Sequence, residues 1–164
     1  MNALTNNEHR SICARCGGQC CRTKPGIEAP EGFLALPDPA AALTELLARR
    51  EWVLETHYGV PYTPGVTAPD PGRIIHYPRP ATVGEQGDNG ADHPSADDCI
   101  YLTVTGCSLA FEDRPRMCRE LVPDSCFECE TSWGRREAAL AWLHHQDIIQ
   151  TATAALVPQE GFRP

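Results

Sequence analysis

No apolar run in this chain of 164 residues approaches the roughly 20 that a membrane-spanning helix needs, so no membrane partner is expected. Aromatic residues are scarce at 7%, and hydrophobic residues reach only 41%, which implies a modest core. Positive charge is in deficit as well. Fourteen Lys and Arg against 22 Asp and Glu give a formal charge of −8, and a nucleic-acid partner is excluded because phosphate binding needs a basic surface. The opening MNALTNNEHRS lacks the basic-then-apolar pattern of a secretory signal, so the expected location is a bacterial-type cytoplasm. Motifs tied to a reaction are missing too. There is no G-x-S-x-G nucleophile turn, no G-x-G-x-x-G nucleotide loop and no C-x2-C-x2-C iron–sulfur run. No catalytic residue is assigned, and the balance leans away from an enzyme.

What the chain does have is cysteine, nine in all, in two groups. SICARCGGQCCRTKPG carries Cys13, Cys16, Cys20 and Cys21; the stretch 22–98 has none, and then come Cys99, Cys107, Cys118, Cys126 and Cys129. An odd number of thiols in a reducing compartment argues against a disulfide framework. Cys13-x2-Cys16 and Cys126-x2-Cys129 have the knuckle spacing that lets two sulfurs reach one ion, and thiolate suits zinc, iron–sulfur clusters or cuprous copper. The same spacing marks thioredoxin-type redox pairs, but those open a helix in a βαβ unit, a context absent here. Adjacent Cys20 and Cys21 leave an extended backbone in opposite directions and suit two metal positions, or one ligand beside one packing cysteine. Gly17 and Gly18 allow the bend that lets Cys13, Cys16 and Cys20 converge. Nine sulfurs allow two four-sulfur sites with one to spare, a bridged multinuclear site, or an iron–sulfur cluster plus one zinc. All nine are candidate metal ligands. Among the histidines, His9, His144 and His145 are the weaker candidates.

The expected fold is a single small, irregular α+β domain. Residues 1–10 form a polar, frayed start, and Pro25 to Pro37 an irregular connector with a short strand at 33–36. Asp38 caps a helix over about 39–57, whose apolar residues recur at near-helical spacing and which Gly59 stops. RIIHYP, 73–78, reads as a strand, and 80–98 as an exposed acidic loop whose carboxylates lack the D-x-D-x-D-G spacing of a calcium loop. A hairpin spans about 100–111 around Thr105-Gly106. Asp113 and Pro115 open a helical turn bearing Cys118. A long amphipathic helix covers 132–157, ending before Pro158. The two long helices are expected to pack on each other and on the small hairpin, with Trp52, Trp133 and Trp142 as anchors. Arg15, Arg22 and Lys24 flank the first cluster, and Arg114, Arg116 and Arg119 the second. These cations either stabilise thiolate charge or pair with Glu112, Asp113 and Glu120.

CARCGGQCC, followed downstream by CSLAFEDRPRMCREL, resembles the YkgJ-like cysteine-cluster family, whose domain is described as zinc- or iron-chelating. The matching positions are Cys13, Cys16, Cys20 and Cys21, then Cys99, Cys107, Arg114, Pro115, Cys118 and Arg119. Cys126 and Cys129 stand outside that pattern, and 30–98 and the C-terminal helix take no part in it. The domain also resembles part of flagellin lysine methylases. The resemblance implies metal binding, with zinc as the expected cofactor and iron or an iron–sulfur cluster as the alternative. Three functions follow: a protein whose two cysteine clusters converge on one or two zinc ions, an iron–sulfur or redox-metal enzyme or accessory protein acting on a protein or peptide side chain, and a metal store or carrier with labile sites. The metal ion itself is the one expected partner.

Overall fold

The structure, a computed structural model, describes residues 15, 18, 21–22, 25–65, 67–86, 97–123 and 129–157. In chain order the elements are α1 (Pro30–Leu34), α2 (Pro39–Ala48), β1 (Trp52–Val60), β2 (Asp70–Pro80), α3 (Val83–Gln86), β3 (Leu102–Thr103), β4 (Gly106–Cys107), a 3-10 turn (Phe111–Asp113), α4 (Arg116–Arg119), β5 (Val122–Pro123), β6 (Cys129–Glu130), α5 (Arg135–Trp142) and α6 (Gln146–Leu156). The class is α+β, as expected. Among the described residues no helix is long and apolar enough to cross a membrane.

The helix expected over 39–57 is half helix and half strand. It starts as anticipated, with the Asp38 carboxylate accepting the Ala41 N–H at 2.9 Å and Pro39 in the first turn. It stops at Ala48 because the Arg50 N–H bonds the Leu47 carbonyl at 3.0 Å and the Glu51 N–H bonds that of Leu46 at 3.1 Å. This Schellman ending puts its left-handed residue at Arg50, φ 56°, where glycine is usual, so the stop is invisible to a search for glycine. WVLETHYGV then extends as β1, antiparallel to β2, with Trp52 opposite Pro80 and Tyr58 opposite Ile74. Gly59 lies within β1 opposite a bulge in β2 rather than stopping a helix: the register shifts across it, residues 71–73 facing this one position, and its φ is 85°. Pro78 and Pro80 are tolerated because positions two apart on an antiparallel strand share one hydrogen-bonding side, here the one that needs no N–H.

Three further expectations are corrected. Residues 33–36 are not a strand: Pro30 opens α1, which turns Phe33 into the core. The small hairpin is shorter than 100–111. It pairs only Leu102 with Cys107 and Thr103 with Gly106, around Val104 and Thr105, and the chain then enters the 3-10 turn. The single helix over 132–157 is two, broken at Leu143 to His145. The buried Gln146 makes that corner. Its carboxamide nitrogen donates to the carbonyls of His76 and Trp142, both at 2.9 Å, while its oxygen accepts the His76 N–H at 3.0 Å. Apolar spacing runs on through the break, so periodicity alone does not reveal it.

The core joins α1, α2, the β1–β2 hairpin, α5 and α6. Phe33 meets Trp52 and Trp142 edge-on, each at 5.9 Å between ring centres. All three tryptophans are buried, as expected. The helices do pack together, through α2 and α6, where the Thr44 hydroxyl reaches the Ala152 carbonyl at 3.4 Å. The sheet they cover is the long β1–β2 hairpin, not the small one.

Because Arg50 carries a side chain in a left-handed conformation, Arg50→Gly is expected to raise stability by about 1 kcal/mol. A rise in the urea midpoint at unchanged slope is the readout, and a fall would show that the Arg50 side chain makes a compensating contact.

Candidate metal centre

Of the nine candidate ligands, Cys21, Cys99, Cys107, Cys118 and Cys129 are described, while Cys13, Cys16, Cys20 and Cys126 lie outside the described residues. The frayed start expected over 1–10, and 87–96 of the expected loop, lie outside them too.

The two cysteine segments meet through backbone. The Cys99 N–H donates to the Cys21 carbonyl at 2.8 Å, although the whole cysteine-free middle of the chain separates them. Gly18, at φ 68°, turns the first segment so that the Cys21 N–H bonds the Gly18 carbonyl at 2.8 Å. It also sits flush on the second segment, where an added Cβ would fall 2.3 Å from Leu102 Cδ1. Residues 98–100 are held on their other side by Ala81 and Val83: the Val83 N–H bonds the Asp98 carbonyl at 2.9 Å, and the Ile100 N–H bonds that of Ala81 at 3.1 Å. The ends of the expected exposed loop, 80–98, are therefore corrected. Ala81, Val83 and Asp98 are buried, and 83–86 are helical.

Cys107 joins this group through its strand partner Leu102, the residue that Gly18 sits against. Burial raises the Tyr101 pKa against the hydrogen bond from the Trp52 indole, and the charges of Glu51, Cys99 and Cys107 push the same way. Cys118 is set by a different contact, with the 25–29 connector. Gly26 lies so close beneath it that a Cβ there would fall 2.2 Å from Cys118 Sγ and 3.2 Å from its backbone nitrogen. Next along the connector, the Ile27 carbonyl accepts the Met117 N–H at 3.1 Å, and the Glu28 carboxylate accepts the Arg116 N–H at 3.1 Å. Burial raises the Glu28 pKa, only partly offset by the Ala29 N–H and by the charges and N–H of Arg119 and Arg116. Cys129 lies on the β5–β6 ribbon, opposite Pro123.

Of the flanking arginines, Arg22, Arg114, Arg116 and Arg119 have carboxylate or carbonyl partners. Arg116 pairs with Glu120 at 2.7 Å, as expected, and stacks 5.1 Å over the Trp133 ring. Arg119 reaches Glu28 at 3.5 Å, and Arg114, buried, donates to the Leu109 carbonyl at 3.2 Å. Beside the joint, Arg79 is clamped between Glu55 at 2.7 Å and Glu85, which it holds with two nitrogens at 2.9 and 2.7 Å; Arg135 also bonds Glu55. Burial alone would raise the Glu55 pKa, but the bonds and charges of Arg135 and Arg79 outweigh it and hold the carboxyl below its ordinary value. The Tyr77 phenol donates to Glu55 at 3.2 Å, and burial together with that carboxylate pushes its pKa up to about 12.

Among the described residues, no three Cys, His, Asp or Glu side chains close on one ion position. The donors fit a soft ion in kind: they are thiols, of which Cys99 is buried and Cys21, Cys107 and Cys118 are half-buried. A groove of about 670 Å³ between β1–β2 and α6 offers no such set. Its His76 is bonded to Thr56 at 3.1 Å, and its Gln146 is spent on the corner. Reading the sequence missed Gly26, Glu28, Tyr101 and Asp98. Only Asp98 carried a signal, its place beside Cys99. No family model, curated protein or solved structure matches this chain.

Gly26→Ala is expected to cost about 1–3 kcal/mol by overpacking and to expose Cys118 to a thiol reagent, since the contact involves backbone as well as sulfur. Unchanged stability and reactivity would show that the connector yields easily. Tyr77 has a folded pKa raised above its unfolded value. Its contribution is complete below about pH 10 and lost as pH rises through about 12. Tyr77→Phe should flatten the fall in stability across that window, followed by urea unfolding at stepped pH.

Proposed function

We propose that this chain is a metal-binding protein whose two cysteine clusters converge on one or two zinc ions, in a structural or chelating role. The observation that supports the reading is the Cys99 N–H to Cys21 carbonyl bond, which sets one cysteine of the second cluster beside one of the first across the middle of the chain. Ligands from the first segment are Cys13, Cys16, Cys20 and Cys21, and those from the second are Cys99, Cys107, Cys118, Cys126 and Cys129. The resemblance to the YkgJ-like family supports the same assignment. So does the economy of the fold. The cysteine segments contribute few large apolar side chains, and ion binding would supply free energy there that packing does not.

Protein purified without air is expected to be colourless and to carry one or two zinc ions per chain, with Cys99→Ser retaining them at least tenfold less well against a colorimetric chelator. Visible charge-transfer bands would move the assignment to iron–sulfur. A metal-free chain that is fully folded and takes up no ion would overturn it.

A further inference from the structure

Asp98 is the one buried side chain among the described residues whose polar atoms lack a hydrogen bond. It is fully buried, and neither carboxylate oxygen has a hydrogen-bond donor among the described residues. A carboxylate removed from water without such donors is costly, so a charge at this place needs an explanation. It forms an ion pair with Arg22, whose guanidinium nitrogen lies 3.5 Å from the carboxylate and whose side chain is 41% exposed. The positions are telling: Arg22 follows Cys21 and Asp98 precedes Cys99, so the ion pair brackets the backbone bond that joins the two clusters. The backbone of 98–100 is already fixed to Ala81 and Val83. The described part of the first segment, by contrast, is held across the joint by that bond, the Gly18 contact with Leu102 and this ion pair.

We propose that Asp98 and Arg22 are positioning residues, a clamp that docks the first cysteine segment on the second before any ion arrives. Apolar contact at Gly18 and Leu102 resists separation but tolerates sliding, because the hydrophobic effect is not directional. A charge fixed in a buried pocket has one low-energy place for its partner, and that sets the register of Cys21 on Cys99. The clamp lowers the ordering cost of bringing thiols from two distant segments to one ion. The link to ion affinity rests on the metal-binding reading; the docking does not.

Removing either partner has unequal consequences. Arg22→Gln leaves a buried carboxylate with no counter-charge, whereas Asp98→Asn removes the buried charge itself. Amide hydrogen exchange on the metal-free protein, read at Cys99, separates them. Arg22→Gln is expected to speed exchange at Cys99 at least tenfold with Ile75 and Ile148 unchanged, Arg22→Lys to stay close to wild type, and Asp98→Asn added to Arg22→Gln to restore much of the protection. The same Arg22→Gln protein should hold zinc at least tenfold less tightly. Unchanged exchange at Cys99 in Arg22→Gln, equal effects of Lys and Gln, or effects that simply multiply in the double variant would each overturn the clamp. Unchanged exchange at Ile75 and Ile148, both in the core, shows for each variant that the fold persists and that the effect is local to the joint. Loss of Cys99 protection in a chain that binds no zinc would leave the clamp standing and sink the metal reading; zinc binding with protection unchanged would do the reverse.

Discussion

Trp142 is fully buried, and its one polar atom, the indole N–H, donates to the Glu28 carbonyl at 2.8 Å. Much of the rest depends on that bond. The ring is the apolar centre where α1 and α5 meet through Phe33, while the carbonyl it holds belongs to the connector that carries Gly26 and Ile27 to Cys118 and Met117. One side chain thereby couples the hydrophobic core to the segment that positions a cysteine. An indole placed there without its partner would bury an unpaired donor, so the connector has one favourable height against the core. The position of Cys118 follows from it.

Two kinds of cohesion divide the molecule. Around Phe33, Trp52 and Trp142 it is apolar packing. At the edge of that core it is charge, with Glu55 shared by Arg79 and Arg135 and Glu85 gripped by Arg79, while Glu28 on the connector is taken up by Arg116 and Arg119 beside Cys118. The scarcity of aromatics and the density of proline and glycine make this arrangement natural, since loops without large side chains must be fixed by directional contacts. In a chain of net charge −8, the arginines are concentrated where carboxylates need them.

The legible parts of the fold were those whose signals are local. Asp38 before Pro39 announces a helix start, RIIHYP a strand, and R-P-x-x-C-R a turn that carries a cysteine; each is found where its residues indicate. The three tryptophans, too large and apolar to leave in water, mark the core. What could not be read was decided by long-range geometry. Arg50 ends a helix in a conformation usually given to glycine, and Gln146 breaks another helix by bonding His76 on a strand far back in the chain. Asp98 lies beside acidic, glycine-bearing sequence and looks solvent-exposed. Only the pairing of its neighbours with Cys21, Ala81 and Val83 places it inside.

The meeting of the cysteine segments follows from the same logic at a larger scale. The chain between Cys21 and Cys99 includes α1, α2 and the long hairpin, and closing such a loop costs conformational entropy that grows only slowly with its length. Most of that cost is already met by the core, because β2 ends at Pro80 and delivers Ala81 and Val83 directly to residues 98–100. The segment bearing Cys21 then has only a short distance to be held. A core built from the middle of the chain thus brings its two cysteine-rich flanks together, which explains why so much sequence without cysteine separates them.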